Sequence, residues 1–288
     1  MRDIDGHTRI YGLFGFPVEH SLSPAMHNEA FEKMGINALY LPFRVAPERL
    51  EEAVSSLRAL AIAGVNVTIP HKERVCVLVD DLAAEARLIG AVNTIVNRQE
   101  KLTGHNTDCS GFMASLTGDL GFDPRGKRIL VLGAGGACRA VATGLCLGRA
   151  AWIGIADGDM AKARRLARFF SGQFEGTQIA SLLCDPQALA ALLPTIDLLV
   201  NATPVGMRGE SFVGHDWRLL PLSAAVYDLV YSPHSTPLVR TLRAMGYRAV
   251  DGLGMLAAQG EEAFNLWTGK RPPPGLMKMR LEKLIRGG

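Results

Sequence analysis

A chain of 288 residues with 48% hydrophobic and 20% charged residues predicts a soluble globular protein of one large domain or two medium ones. A net charge of +3 is too small to argue for nucleic acid or a membrane surface as partner. The five cysteines, Cys76, Cys109, Cys138, Cys146 and Cys184, are dispersed without a C-x-x-C pair, which suits reduced thiols in a cytoplasm better than a disulfide framework or a metal site, so no metal is expected.

The opening MRDIDGHTRIYG lacks the apolar stretch of a signal peptide, and no window reaches the ~18 apolar residues of a membrane span. Residues 10–15 read as a short buried strand. Pro24 fits the first turn of a helix over 25–34 that Ser23 would cap and Gly35 would stop. A strand over 39–45 follows. Pro47 then opens a helix with Leu50, Ala53, Val54 and Leu57 at helical spacing. Residues 64–69 read as a third strand broken at Pro70, and 91–97 alternate like a strand after two short helical segments. This alternation predicts a mostly parallel sheet. A helix from Asp108 to Gly121 and the turn-rich 122–126 mark a domain boundary. From Lys127 the βαβ pattern repeats, with strands over 128–132, 151–156, 177–183, 197–202, 225–230 and 248–251. Helices over 136–147, 160–170, 186–193 and 236–245 alternate with them. Two closing helices, 255–267 and 276–285, have no strand partner, so at least the second is expected to pack back on the first domain.

The strongest chemical signal is RILVLGAGGACR over 128–139. Ile129, Leu130, Val131 and Leu132 break at Gly133-Ala134-Gly135-Gly136 and continue as small residues of helical character, as a buried parallel strand does when it turns into a helix. The glycines let backbone approach a ligand, and the helix start offers N–H groups and partial positive charge to a pyrophosphate. A second apolar run ends at Asp157, 24 residues past Gly133, about where a dinucleotide-binding unit places the acid that holds the adenosine ribose. Cys138 stands at the third glycine position, so the turn alone also suits an ordinary strand–helix connection. The flanking strand and helix, with the acid at this distance, favour dinucleotide binding.

In the first half, Asn66-Val67-Thr68-Ile69-Pro70-His71-Lys72 stands at the carboxyl end of a strand, where sites collect in parallel α/β sheets. Lys72 is placed for general acid–base work, although a solvated surface lysine is the default. Asp108, at another strand end and a helix start, reads either as an N-cap or as a partner for Lys72. Asn93 is an amide in an apolar strand and must satisfy backbone or face a polar ligand. Ser21 and Ser23 either cap a helix or, with its N–H groups, hold a carboxylate. Together they describe a pocket for a small polyhydroxylated acid beside a dinucleotide.

HSLSP (20–24), NVTIPHK (66–72), AVNT (91–94), NTD (106–108), GAGGA (133–137), NATPVGM (201–207) and DGLGMLAAQ (251–259) occur in the order of the shikimate dehydrogenase family, and the chain resembles that family over nearly its whole length. The resemblance implies reversible hydride transfer between a nicotinamide cofactor and a ring alcohol, interconverting 3-dehydroshikimate and shikimate. It implies Lys72 as the acid–base lysine and Asp108 as its partner. Ser21 and Ser23 match carboxylate-binding serines, and Thr68, Asn93, Tyr231 and Gln259 match substrate contacts. Gly133, Ala134, Gly135, Gly136 and Ala137 would hold the pyrophosphate, with Asn201, Thr203 and Gly252 on the nicotinamide side. His71 has no catalytic role in the pattern and is expected to be structural or at the surface. The expected fold is α/β with two domains. A discontinuous substrate domain with a mostly parallel sheet covers 1–108 plus about 253–288, a Rossmann-type dinucleotide-binding domain covers 109–252, and the active site lies in the cleft between them.

One stretch departs from the pattern. NADP-dependent members commonly show Asn-Arg-Thr where this chain has Asp157-Gly158-Asp159. The arginine that would clasp a 2′-phosphate is absent, and a carboxylate stands where it would repel one, so NAD is the expected cofactor; Lys162, Arg164 and Arg165 on the next helix offer a counterargument for NADP. Some relatives act on both shikimate and quinate in catabolism and tend to be NAD-linked, and some quinate-using relatives carry Thr at the second serine position, whereas Ser23 favours shikimate; aromatic amino acid biosynthesis and quinate use both stay open as the pathway. A nucleotide-binding regulatory protein without turnover is the alternative of another class, and intact Lys72 and Asp108 argue against it. A monomer or homodimer is expected.

Overall fold

Buried apolar strands alternate with helix-period segments along nearly the whole chain, and that alternation sets the architecture. The computed structural model describes residues 4–286. In chain order the first elements are β1 (Arg9–Gly15), α1 (Ser23–Lys33), β2 (Ala38–Arg44), α2 (Leu50–Ala59), β3 (Gly64–Val67), β4 (Asp81–Leu82), α3 (Ala84–Ile89), β5 (Thr94–Arg98), β6 (Lys101–His105) and α4 (Asp108–Gly118). Then come β7 (Arg128–Leu132), α5 (Gly136–Leu147), β8 (Trp152–Asp157), α6 (Met160–Ser171), β9 (Gln178–Leu183), α7 (Pro186–Ala190), β10 (Leu198–Asn201), β11 (Ala225–Asp228), α8 (Pro237–Ala244) and β12 (Arg248–Val250). Helices α9 (Leu253–Thr268) and α10 (Leu276–Arg286) close the chain.

Two compact units result. The first takes the chain to Gly111 and again over Leu256–Leu284; the second holds Phe112–Met255. In the first unit the sheet runs β2-β1-β3-β5-β6-β4. Strands β2, β1 and β3 are mutually parallel, while β5 runs antiparallel to both β3 and β6. Every residue of β3 is buried, as expected of a strand covered on both faces. One face carries Val54, Leu57, Val65, Ile95 and Leu102. On the other, Tyr11 lies against Phe31 and Trp267, with ring centroids 5.2 and 5.1 Å apart. The Trp267 indole N–H donates to the Ile95 carbonyl at 3.0 Å, an approach open only because residue 64 is glycine: a Cβ there would collide with the indole.

The second unit is a parallel sheet in the order β12-β11-β10-β7-β8-β9. This is the doubly wound dinucleotide-binding order, with its switch point where β7 meets β10. Apolar clusters cover both faces, one including Phe112, Val131, Cys138 and Ile155, the other Leu130, Leu199, Val226 and Leu242. Among the described residues no helix is long and apolar enough to cross a membrane.

Three local expectations need correction. Ser23 does not cap α1: Leu22 occupies the N-cap position without a side-chain bond, and Ser23 is the first helical residue. The strand expected over 91–97 begins only at Thr94, because the backbone before it bonds elsewhere; Val92 N–H donates to the Lys72 carbonyl at 2.8 Å. Strands β4 and β6 are absent from the sequence reading, and β6 adds the second antiparallel pairing.

Candidate active site

The carboxyl end of β3 and the turn after it place Lys72. Thr68 N–H donates to the Phe14 carbonyl at 2.8 Å, and His71 N–H donates to the Thr68 carbonyl at 3.0 Å. The His71 ring meets the Val45 carbonyl through Nε2 at 2.8 Å and is buried, so this histidine fastens the loop and is structural. Beyond it, Lys72 Nζ stands 2.6 Å from Asp108 Oδ2, with side chains 18% and 7% exposed. An ion pair so sheltered is little screened by water, and the amine keeps a partly exposed face.

Asp108 begins α4 but does not spend its carboxylate on capping. Its own N–H is taken by Asn106 Oδ1 at 3.0 Å, and Asn106 Nδ2 donates to the Ala91 carbonyl at 2.9 Å. The carboxylate is left for Lys72 on one oxygen and for Asn93 Nδ2, at 2.9 Å, on the other. Asn93 thus does what a buried amide must: Oδ1 receives the Thr107 N–H at 2.8 Å while Nδ2 meets the carboxylate. Gln259 on α9 brings Oε1 to 3.5 Å from Asn93 Nδ2. Cys109, next to Asp108, is no nucleophile, because burial and then the Asp108 and Glu262 charges push its thiol up to about 12.

Lys72, Asp108, Asn93 and Gln259 are therefore brought together in the first unit. Ser21 and Ser23 are joined to each other, the Ser23 N–H donating to Ser21 Oγ at 3.3 Å. Thr68 is half-buried at the end of β3. Tyr231 belongs to the second unit, three residues past the end of β11.

In the second unit, Gly133 ends β7 with φ of +101°, and a Cβ there would stand 2.9 Å from the Ala202 carbonyl oxygen; only glycine makes this turn comfortably. Gly135 is the N-cap of α5 and has open space around it. The first N–H groups of a helix have no partner within it, so strand end, turn and helix start fit a dinucleotide's pyrophosphate. Asp157 Oδ2 receives the Ala134 N–H at 2.8 Å and Oδ1 the Asp159 N–H at 2.9 Å. Asn201 Oδ1 accepts from the Thr203 N–H at 2.9 Å and its hydroxyl at 2.7 Å. Gly252 lets its backbone lie against Leu229, where a Cβ would overlap the carbonyl.

The sequence reading missed Asp228. It is fully buried and accepts from Asn201 Nδ2 at 2.8 Å, Val230 N–H at 3.0 Å and Thr236 Oγ1 at 2.6 Å. Burial pushes its carboxyl up to about 6 against those hydrogen bonds. A lone acid closing the apolar run Ala225–Asp228 was the available signal. Asn66, inside the fully buried β3, was the corresponding signal in the first unit.

Comparison with known proteins agrees with this geometry. Residues 13–95 match the model of the shikimate dehydrogenase substrate binding domain, and 252–282 that of the shikimate 5′-dehydrogenase C-terminal domain. The chain is 49% identical to the shikimate dehydrogenase (NADP(+)) of Geobacter metallireducens, over 97% of this chain and 98% of that one. A crystal structure of a shikimate dehydrogenase in complex with NADP+ superposes with a TM-score of 0.89 at 36% identity, covering 98% of each chain. The shikimate 5-dehydrogenase of Listeria monocytogenes, in complex with shikimate and NAD, gives a TM-score of 0.87 at 35% identity, covering 98% of this chain and 99% of that one. With half its residues shared over almost its full length with such a relative, and with this fold in both units, the chain belongs to the shikimate dehydrogenase family.

Proposed function

We propose that this chain interconverts 3-dehydroshikimate and shikimate with a nicotinamide dinucleotide, using Lys72 and Asp108 as its acid–base pair. The observation that carries the reading is the 2.6 Å pairing of Lys72 Nζ with Asp108 Oδ2 at the end of β3, in a chain of this family. A nicotinamide dinucleotide held by the glycine turn of the second unit would supply or receive the hydride at the ring carbinol carbon. As that hydride leaves carbon, the hydroxyl proton must leave oxygen and passes to Lys72 in its neutral amine form; in reduction the Lys72 ammonium, paired with Asp108, gives its proton to the oxygen and becomes the amine. Ser21 and Ser23 are assigned the substrate carboxylate, and Thr68, Asn93, Tyr231 and Gln259 its hydroxyls and ring. A site that pairs several hydroxyls rejects analogues lacking one, since a buried partner is then stranded.

The first unit is assigned the substrate and the second the dinucleotide, with Gly133, Ala134, Gly135, Gly136 and Ala137 on the pyrophosphate and Asn201, Thr203 and Gly252 toward the nicotinamide. The preferred cofactor is NAD. Asp157 is fixed by two backbone N–H groups beside the glycine turn, and its charge opposes a 2′-phosphate while accepting from free ribose hydroxyls. Ser23 favours shikimate over quinate. The dispersed thiols, with Cys138 and Cys146 buried, support a cytoplasmic setting.

Initial rates with shikimate and quinate, each crossed with NAD and NADP, test both choices. Shikimate with NAD should give the highest kcat/KM, and Lys72→Ala should lose roughly a hundredfold or more in kcat with little change in KM. A clear NADP preference overturns the argument from Asp157. Unchanged turnover in Lys72→Ala removes the lysine from the mechanism.

A further inference from the structure

Behind the acid–base pair the hydrogen bonds form one continuous chain whose direction the backbone fixes. Asn93 Oδ1 faces the Thr107 N–H, which can only donate, so Nδ2 must be the end that meets Asp108. The same Asn93 oxygen receives the Thr94 hydroxyl at 2.9 Å. That hydroxyl in turn accepts from Asn66 Nδ2 at 3.0 Å. Asn66 is oriented by the Asn93 carbonyl, which can only accept, at 3.2 Å. Its Oδ1 is then left to receive the Tyr40 phenol at 2.8 Å.

Every donor from Tyr40 onward therefore points toward Asp108. The side chains are all buried, Tyr40 and Thr94 at 1% and 0% exposure. Burying so many polar groups is tolerated because each is paired, and an apolar core would leave Asn93 held by Thr107 alone on that side.

We propose that Tyr40, Asn66 and Thr94 are positioning residues that act through Asn93 to hold the Asp108 carboxylate against Lys72. The inference rests on the acid–base role proposed above for Lys72 and Asp108. Thr94 is the decisive link: its hydroxyl both accepts from Asn66 and donates to Asn93.

Thr94→Val keeps the shape and deletes the hydroxyl. It should lower kcat about tenfold, the worth of one buried hydrogen bond in positioning, with KM for shikimate within about twofold. Thr94→Ser should restore kcat to within about threefold of the parent. Tyr40→Phe, farther along the chain, should lower kcat by roughly threefold with KM again intact; it carries the test should the valine variant fail to fold. Parent kcat in Thr94→Val or in Tyr40→Phe, beside an inactive Lys72→Ala, overturns the proposal and leaves the acid–base reading standing. Equal loss in the valine and serine variants also overturns it, since shape and not the hydroxyl would then matter. Full turnover in Lys72→Ala overturns both.

Discussion

Replacing Asp228 with asparagine sets burial against hydrogen bonding in the second unit. Burial pushes this carboxyl from 3.8 up to about 6, although Thr236, Val230 and Asn201 all donate to it. The folded chain therefore binds this proton more tightly than the unfolded chain, and between those two values its stability rises as pH falls. Above the window the buried charge is penalised by about 3 kcal/mol, at roughly 1.4 kcal/mol for each tenfold change in proton affinity. Asparagine keeps an oxygen for the Asn201 amide and the Val230 N–H, both obligate donors, and turns its NH2 toward the Thr236 hydroxyl, which can rotate to accept. At about pH 8 the variant should therefore melt several degrees above the parent, given about 2–4 °C per kcal/mol for a unit of this size. The gap should narrow as pH falls through about 6 and close near 4, following the carboxyl. Calorimetric scans from about pH 4 to about pH 8 measure both effects. A variant that melts below the parent at the alkaline end, or a gap indifferent to pH, refutes the reasoning.

Two further predictions concern stability. His27 is buried with neither ring nitrogen hydrogen-bonded and stacks on Tyr40 at 4.5 Å. Burial pushes its imidazole from 6.5 down to about 3, so the unfolded chain binds that proton more tightly and stability is lost as pH falls below about 6.5. His27→Phe should add about 1–3 kcal/mol at neutral pH and flatten the acid loss, read by urea unfolding near pH 7 and near pH 5; an unchanged acid slope counts against it. Asp159 caps α6, accepting from the Ala161 and Lys162 N–H groups. Asp159→Ala should lose about 1 kcal/mol in a thermal or chemical melt, and parental stability would show that cap to be idle.

Much of the fold was legible because its signals are local. The β-branched run and glycine turn announced β7 and α5, found at Arg128–Leu132 and Gly136–Leu147. Strand β6 was not legible. It exists by pairing with β5 across a turn where Gln99 and Glu100 take φ of 52° and 67°, conformations that glycine or asparagine usually signal. Ser23 misled for a related reason: a hydroxyl before proline reads as a cap, yet the helix opens with Leu22 at its N-cap. At the site, Lys72 and Asp108 lie 36 residues apart, and no local pattern joins them; family motifs did. Tyr40 and Thr94 were invisible because tyrosine and threonine are ordinary strand residues, and nothing local shows that their hydroxyls are buried.

Asp157 joins fold and specificity in one side chain. Its two oxygens receive backbone N–H groups from Ala134 and from Asp159, so the carboxylate stitches the glycine turn to the end of β8. A carboxylate held on both oxygens is slow to swing aside for a second anion, and its charge stays at the end of β8 beside the glycine turn. Asparagine, the residue common at this position in NADP-dependent members, has one accepting oxygen and would turn its NH2 against a backbone N–H. Exchanging the two residues therefore removes a charge and a structural bond together. The proposed NAD preference is therefore no detachable surface feature: Asp157→Asn should loosen the glycine turn as well as the discrimination, and affinity for both NAD and NADP, measured by fluorescence titration, should fall.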